Sequence, residues 1–231
     1  FAVAAGDMDH DGDLDLAVAK RGANVIYRND NGVLQTPPIW QSTETDDSLA
    51  LAWGYLNGDD YPELAVGNDR QPTRLYLNNA GVLQATAVWS SENADETHAI
   101  RWGDMDGDGD LDLLVASPDR PYNGTYLFRN IGSQADPLFD RAIWLAPALK
   151  DLIVADVDGD GKPDATSSAG RWFSDIRRNG FSNPQTFNLK RSYHVGRDDL
   201  WLPVDWDNDG KIDLLNGVSD WRDYGWDDAF N

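Results

Sequence analysis

The sequence has no cysteine, few basic residues and no long apolar run. The absence of cysteine excludes disulfides, zinc–thiolate sites and cysteine nucleophiles. Nineteen basic residues against 40 acidic residues give a net charge of −21. This charge argues against nucleic acid and anionic membranes as partners, because both attract surplus Lys and Arg. No segment approaches the roughly 18 apolar residues of a membrane-spanning helix, so we expect no membrane insertion.

Signatures of catalysis are also scarce. The sequence has three histidines, and it contains no Gly-x-Ser-x-Gly motif, phosphate-binding loop or zinc motif. Paired carboxylates for glycoside hydrolysis cannot be singled out, because the abundant acids fall into one repeated motif. Tyr193 and His194 could act as acid and base in a lyase, but no other feature marks them.

The acidic residues that are present form a repeat. Five similar acidic segments occupy residues 6–16, 54–64, 103–113, 155–165 and 204–214, and their first motif positions are 7, 55, 104, 156 and 205. These positions are 48 to 52 residues apart. A period near 50 residues is typical of a repeat architecture.

Short apolar runs keep the same phase as the acidic segments. They are rich in β-branched and aromatic residues and bounded by Gly, Asn, Asp or Pro, as strands are, and none has the length or period of a helix. The predicted first strands are 2–5, 49–53, 99–102, 152–155 and 200–204; the second are 14–19, 64–66, 111–116 and 212–215; the third are 25–28, 73–77, 125–128 and 172–176; the fourth are 39–41, 88–90, 143–145 and 187–189.

Four short strands in each unit of about 49 residues describe the blade of a β-propeller. We therefore predict an all-β chain, with one propeller domain over residues 1–231 built from four-stranded antiparallel blades that start near residues 1, 49, 98, 150 and 199. A solenoid is the alternative architecture. Five blades are favoured, because an arc cut from a seven- or eight-bladed propeller, the alternative, would expose two apolar blade faces.

The acidic motif is Asp-x-Asp-x-Asp-Gly-x-x-Asp between two strands. Its carboxylates would repel one another if left alone, and converging oxygen ligands suit Ca²⁺, which takes 6–8 oxygens, better than Mg²⁺. The seventh position would add its backbone carbonyl. The predicted ligands of the four intact loops are Asp7, Asp9, Asp11, Asp13 and Asp15; Asp104, Asp106, Asp108, Asp110 and Asp112; Asp156, Asp158, Asp160, Lys162 and Asp164; and Asp205, Asp207, Asp209, Lys211 and Asp213.

Two other kinds of loop can carry a similar motif. An EF-hand loop opens in the same way, but it needs an acid at position twelve and flanking helices. Position twelve holds Val18, Val115, Ser167 and Asn216, and the flanks are predicted strands. A metal-free polar turn is the second alternative, and four intact copies in phase argue against it.

The second loop departs from the motif. Tyr55 replaces its first Asp, and Asp60 stands where Gly is expected. The remaining candidate ligands are Asn57, Asp59, the Tyr61 carbonyl and Glu63. We therefore predict four strong calcium sites and a weak or absent fifth.

The motif, its spacing and its strand setting resemble the FG-GAP or VCBS repeat, found in integrin α-subunit propellers and in many secreted bacterial proteins. The resemblance rests on residues 1–18, 49–66, 99–116, 152–166 and 200–215. It implies a calcium-stabilised scaffold, extracellular or at the cell surface, of the bacterial secreted kind. Propellers of this family serve as adhesion modules, as lectins and as the body of some polysaccharide lyases.

The leading functional interpretation is a non-catalytic binding or scaffold module for a glycan or protein ligand. The alternative is the propeller of a polysaccharide-active enzyme such as a lyase. A basic group in the fourth repeat is a candidate grip for an anionic glycan, and a solvated surface paired with nearby acids is the competing interpretation. That group consists of Arg171, Trp172, Arg177, Arg178, Lys190 and Arg191.

Several tryptophans recur in phase. Trp40, Trp89 and Trp144 are assigned to equivalent fourth-strand positions, and Trp53 and Trp102 each precede a motif glycine. Their recurrence favours packing between blades over a stacking platform for sugars.

Overall fold

The computed structural model describes residues 1–94, 96–117, 124–133, 137–146, 152–156, 163–167, 171–173, 185–186, 200–204 and 213–217. Within these ranges the secondary structure consists of strands and turns. The described residues include no helix long and apolar enough to cross a membrane. Four sheets of four strands and one sheet of two strands follow one another along the chain, together with two small hairpins.

Each four-stranded sheet forms one blade, and neighbouring strands pair antiparallel. Blade one contains β1 (Ala2–Gly6), β2 (Asp15–Ala19), β3 (Val25–Tyr27) and β6 (Trp40–Gln41), with β4 (Asn29–Asp30) and β5 (Val33–Leu34) as a hairpin; blade two contains β7 (Ser48–Gly54), β8 (Glu63–Asn68), β9 (Arg74–Tyr76) and β12 (Trp89–Ser90), with β10 (Asn78–Asn79) and β11 (Val82–Leu83) as its hairpin.

The later repeats follow the same plan. Blade three contains β13 (Ala99–Gly103), β14 (Asp112–Ser117), β15 (Gly124–Phe128) and β16 (Ile143–Ala146); blade four contains β17 (Ile153–Ala155), β18 (Asp164–Ser167), β19 (Arg171–Phe173) and β20 (Gln185–Thr186); the fifth repeat contributes β21 (Leu200–Val204) and β22 (Asp213–Gly217). The second strand of blade four lacks a continuous apolar run, and the sequence analysis missed it. The predicted 187–189 strand lies outside the described residues.

The apolar core lies between blades. Every residue of β8 and β14 is buried, as expected for strands covered on both faces. One apolar cluster joins blades one and two, and includes Ile26, Leu64 and Tyr76. A second joins blades two and three, and a third joins blades three and four. Each fully buried Leu or Ile contributes about 1.5–3 kcal/mol to stability, so the contacts between blades hold the domain together.

Two tryptophans fill hollows in the preceding blade. A Cβ atom added to Gly6 would lie 2.6 Å from the Trp53 ring, and one added to Gly54 would lie 2.6 Å from the Trp102 ring. The Trp102 indole N–H donates to the Ala52 carbonyl at 3.2 Å. These contacts confirm that Trp53 and Trp102 pack between blades.

The fourth-strand tryptophans do not behave alike. The Trp40 and Tyr76 rings meet edge to face at 5.3 Å across the boundary of blades one and two, and Trp89 meets Phe128 at 5.2 Å across the next boundary. Trp144 was wrongly assigned to the same position, since it is one residue out of register and 56% exposed. The equivalent register pairs are Ile26–Trp40, Leu75–Trp89 and Leu127–Ile143.

Candidate metal centres

Each described acidic loop is a closed connection between the first two strands of a blade. The glycine that ends the first strand pairs with the acid that opens the second, as Gly6 does with Asp15. Gly54 pairs with Glu63 in the same way, and Gly103 pairs with Asp112. The strand pairing therefore fixes both ends of the motif and brings its first and last acids close together.

Side chains within the first loop shape its backbone. The Asp7 carboxylate accepts hydrogen bonds from the N–H groups of Asp11 at 3.1 Å and Gly12 at 3.0 Å. Asp11 accepts from the Asp13 N–H at 2.9 Å, which is an Asx-turn. Gly12 has a φ of 93°, a left-handed conformation that favours glycine. The motif glycine is thus required by the turn.

The third loop repeats this arrangement. Asp104 accepts from the N–H groups of Gly107 and Gly109, and Asp108 accepts from the Asp110 N–H at 2.9 Å. Gly109 has a φ of 97°. The two loops share left-handed residues at the same two positions, His10 with Gly12 and Gly107 with Gly109, although one of the two donors to the first acid differs.

Carboxylate oxygens converge in both of these loops. One oxygen from each of Asp7, Asp9 and Asp15 lies within 4.8 Å of the others. In the third loop the cluster is Asp104, Asp106 and Asp108, so the equivalent of Asp11 takes part there and Asp112, the equivalent of Asp15, does not. Three negative charges at this separation repel strongly unless a cation lies among them.

The central acid of each cluster has an unsatisfied oxygen. Oδ1 of Asp9 and Oδ1 of Asp106 are buried without a hydrogen-bond partner. Burial, reinforced by the neighbouring carboxylates Asp11 and Asp108, raises the pKa of both groups. A buried acceptor without a partner costs about 1–3 kcal/mol, and a hard cation would satisfy it. The residues present therefore fit a calcium ion.

The last acid of the motif has a second role that the sequence analysis missed. Asp15 accepts from the Met8 N–H at 3.0 Å and from the Asn29 N–H at 2.8 Å. Asp112 accepts from the Met105 and Asn130 N–H groups, both at 2.8 Å. Each carboxylate thus ties the start of the loop to the end of the third strand. The spacing of the motif gives no signal for this contact with the third strand.

Burial also shifts the protonation of these last acids. Asp15, Glu63 and Asp112 are fully buried. Desolvation raises the pKa of each carboxyl against the lowering effect of its N–H donors, and it raises the pKa of Asp112 to about 6. Asp15 and Asp112 are therefore predicted ligands whose charge state a bound cation would change.

The second loop forms hydrogen bonds among its own polar groups, although Oε1 of Glu63 is buried without a partner. The Asn57 amide donates to Asp59 at 3.0 Å, and the Tyr61 N–H donates to Asp59 at 2.8 Å. Glu63 accepts from the Leu56 N–H at 2.8 Å, so it keeps the linking contact. Asp60, which replaces the glycine, does not adopt the left-handed conformation of Gly12. No cluster of three acids forms here among the described residues.

The remaining predicted ligands are only partly visible. Asp156 and the fully buried Asp164 lie at the two ends of the fourth loop. Arg171 and Trp172 belong to β19, and Asp213 opens β22. The other candidates lie outside the described residues: Asp158, Asp160, Lys162, Asp205, Asp207, Asp209, Lys211, Arg177, Arg178, Lys190 and Arg191.

Comparison with known proteins agrees with the repeat. The model of the FG-GAP-like repeat matches residues 7–66, 55–115 and 106–167, which together make up more than half of the chain. No curated protein matches the chain. The repeats and the four-stranded antiparallel sheets confirm the all-β propeller fold, while the number of blades stays a prediction.

Solved structures of similar fold come from several kinds of protein. An Agrocybe aegerita lectin, described by its recognition of non-reducing terminal N-acetylglucosamine, has a TM-score of 0.58 at 16% identity, covering 93% of this chain and 60% of the lectin. The Photorhabdus luminescens Tc holotoxin pore has a TM-score of 0.47 at 18% identity, covering 94% of this chain and 11% of that one.

The V. cholerae biofilm matrix protein Bap1 has a TM-score of 0.46 at 16% identity, covering 94% of this chain and 34% of Bap1. At 16% identity the likeness to the lectin concerns the fold alone. The chain spans less than two thirds of each of these three proteins.

Proposed function

The chain belongs to the FG-GAP-like repeat family, and on that premise we propose that it is a calcium-stabilised, non-catalytic propeller module that binds glycans outside the cell. The observation that carries this proposal is the pair of converging carboxylate clusters, each with a buried oxygen that lacks a partner. A cation bound among the three carboxylates would satisfy these oxygens.

The calcium ligands of the first loop would be the side chains of Asp7, Asp9, Asp11 and Asp15 with the Asp13 carbonyl. The third loop would use the equivalent set, Asp104, Asp106, Asp108 and Asp112 with the Asp110 carbonyl. Bound calcium would neutralise the clustered carboxylates and hold the first two strands of a blade together. The fourth and fifth loops carry the same motif, so four strong sites are proposed.

An extracellular setting is consistent with this chemistry. Calcium sites of extracellular modules typically have dissociation constants of about 10⁻⁴–10⁻³ M. Such sites are occupied at the calcium concentrations found outside cells. The loops lie at the ends of short strands and are largely exposed, so the ions would exchange with the surrounding medium.

Glycan as the ligand is supported by the fold. The Agrocybe aegerita lectin, which recognises a terminal N-acetylglucosamine, is similar over 93% of this chain. The lyase alternative drew on Tyr193 and His194, which lie outside the described residues. No described contact favours that alternative over a binding module.

The proposal is tested with the purified chain on a glycan array, once with millimolar calcium and once with EDTA. We expect binding to defined glycans in calcium, with the signal falling in EDTA. In parallel, anionic polysaccharides are incubated with the chain and followed by ultraviolet absorbance for unsaturated uronates, where no increase is expected. An increase in absorbance would contradict the non-catalytic proposal, and an array without any bound glycan would contradict the choice of ligand.

A further inference from the structure

The boundaries between consecutive blades offer a matched pair for comparison. We call the boundary of blades one and two the first seam, and that of blades two and three the second seam. Tyr76 pairs with Leu64, and Phe128 pairs with Leu113, so Tyr76 and Phe128 occupy equivalent positions. Equivalent serine hydroxyls, those of Ser42 and Ser91, donate to the carbonyls of Glu44 and Asn93. Glu44 and Asn93 are therefore equivalent too.

In the first seam a carboxylate closes the gap between the blades. Glu44 accepts a hydrogen bond from the Tyr76 hydroxyl at 3.0 Å and from the Ala87 N–H at 3.0 Å. The neighbouring Thr43 N–H donates to the Ala85 carbonyl at 2.8 Å. Burial disfavours the charged form of Glu44, but these hydrogen bonds outweigh it and hold its pKa below the usual value.

The second seam lacks both halves of this closure. Asn93 is one methylene shorter than glutamate, and Phe128 has no hydroxyl to donate. Among the residues that the structure describes, no hydrogen bond joins the side chain of Glu92 or Asn93 to blade three.

The connection that bears Ala85 and Ala87 in blade two is also shorter in blade three. Gln84 and Asp140 are equivalent, because their N–H groups donate to the carbonyls of equivalent third-strand residues, Leu77 and Arg129. Trp89 follows Gln84 by five residues, whereas Ile143, at the equivalent fourth-strand position, follows Asp140 by only three. The connection beside the second seam is therefore two residues shorter than the one that bears Ala85 and Ala87.

A cavity occupies the place of the missing closure. It has a volume of about 360 Å³, within the roughly 300–1,000 Å³ of small-molecule sites. Its apolar wall comes from three packed rings, with centroids of Trp89 5.2 Å from Phe128 and 5.1 Å from Phe139. Its polar lining is Ser90, Glu92, Asn93, Asp140 and Arg141.

The lining favours an uncharged ligand rich in hydroxyl groups. Glu92 supplies acceptors, Arg141 supplies donors, and Asn93 supplies both, while Ser90 already accepts from Arg74 at 2.8 Å and Asp140 from Arg129 at 3.0 Å. An anion would meet two carboxylates and a net charge of −21. A methylammonium group needs rings that stand apart around it, whereas the three rings pack directly on one another.

We propose that the second seam is a binding cleft for a neutral sugar unit, with the apolar face of the ring against Trp89 and its hydroxyls on Glu92, Asn93 and Arg141. This inference rests on the proposed glycan-binding function and locates its site. The first seam, closed by Glu44 and Tyr76, serves as the built-in control.

The test measures binding of four free sugars, glucose, galactose, mannose and N-acetylglucosamine, by tryptophan fluorescence and saturation-transfer NMR in millimolar calcium. The main variant, Asn93→Glu with Phe128→Tyr, transplants the closure of the first seam. A second variant, Glu92→Ala with Arg141→Ala, removes exposed polar groups at the rim without touching the buried rings. Arg21→Ala is the matched control, since that arginine is exposed and lies in the first blade.

We expect saturable binding of at least one sugar by the wild type, at least tenfold weaker binding by both cleft variants, and unchanged binding by Arg21→Ala. Equal binding by the wild type and the rim variant would overturn the cleft while leaving the glycan-binding module intact. Glycan-array binding by a wild type that binds none of the four sugars would do the same. Failure in both assays would overturn the proposed function as well. If the closure variant does not fold, the rim variant alone decides.

Discussion

The second acidic loop makes the same connection between strands as loops one and three, but with different polar groups. All three connect the first two strands of a blade, and all three end in a buried acid that accepts a backbone N–H. Loops one and three gather three carboxylates, whereas loop two pairs the Asn57 amide with Asp59. The linking acid is therefore common to all three loops, and the clustered carboxylates distinguish loops one and three from loop two.

The largest expected effect is that of calcium on the stability of the whole chain. A ligand that binds only the folded state stabilises it by about 2 kcal/mol per site at a concentration some 30-fold above its dissociation constant. Millimolar calcium should therefore raise the melting temperature, and EDTA should lower it, with at least loops one and three contributing. Calorimetric melting in the two buffers measures the shift. Identical curves would show that the clusters hold no metal.

The linking acid of loop two can be removed without touching a calcium cluster. Glu63→Ala leaves the buried Leu56 N–H without its acceptor, so it should cost about 1–3 kcal/mol. The loss should be the same in calcium and in EDTA, as measured by urea unfolding. Glu63→Gln retains an acceptor oxygen and should lose less. A calcium-dependent loss in Glu63→Ala would mean that loop two binds metal as the others do.

Deleting the carboxylate at the first motif position tests whether the intact loops bind calcium. Asp104→Ala should remove about 1–2 kcal/mol of stability in calcium but little in EDTA, because it weakens one site. Asp156→Ala should do the same for the fourth loop. Titration calorimetry on the wild type should count four strong sites.

Tyr55→Ala is the matched control for these deletions, since Tyr55 occupies the equivalent first position of loop two and is 53% exposed. Its effect should stay within about 0.5 kcal/mol, with the calcium stoichiometry unchanged. Five equal sites in the wild type would break the distinction between the loops.

The smallest expected effect is a dependence on pH in the absence of calcium. Burial raises the pKa of Asp112 to about 6, above the value of about 3.9 in an unfolded chain. A raised pKa means that the folded state holds the proton more tightly, so this contribution is present in acid and is lost as pH rises through 6. In EDTA, stability should fall by about 1 kcal/mol more in the wild type than in Asp112→Asn between pH 5 and pH 7.

Calcium should cancel this pH dependence at Asp112, because the ion competes with the proton. Glu63, whose pKa burial also raises, should keep its dependence in either buffer, as a comparison with Glu63→Gln would reveal. Loss of the Glu63 dependence in calcium would again assign a metal to loop two.

The fold was predictable from the sequence because one period governs it. The acidic segments mark the same turn in every blade, and the apolar runs beside them became paired strands. The clustering of Asp7, Asp9 and Asp15 was predictable for the same reason, since the two ends of a hairpin meet wherever its strands pair.

Features that depend on contacts between distant segments were not predictable. Trp144 is not at the expected position because Ile143 pairs with Leu127, which places Trp144 one residue further along the strand, opposite Tyr126. The link from Asp15 to Asn29 crosses from the first loop to the third strand. The closure of the first seam joins Glu44 to Tyr76, 32 residues away, and no local pattern records such a pairing.

The contacts of Trp53 and Trp102 with the glycine of the preceding blade have a consequence for the addition of repeats during evolution. Trp53 and Gly54 are neighbours on one strand, so blade two carries both the ring that fills Gly6 and the hollow that receives Trp102. Duplication of the unit in a gene copies both halves together. A copy of blade two inserted beside the original would therefore bring both halves of this contact with it.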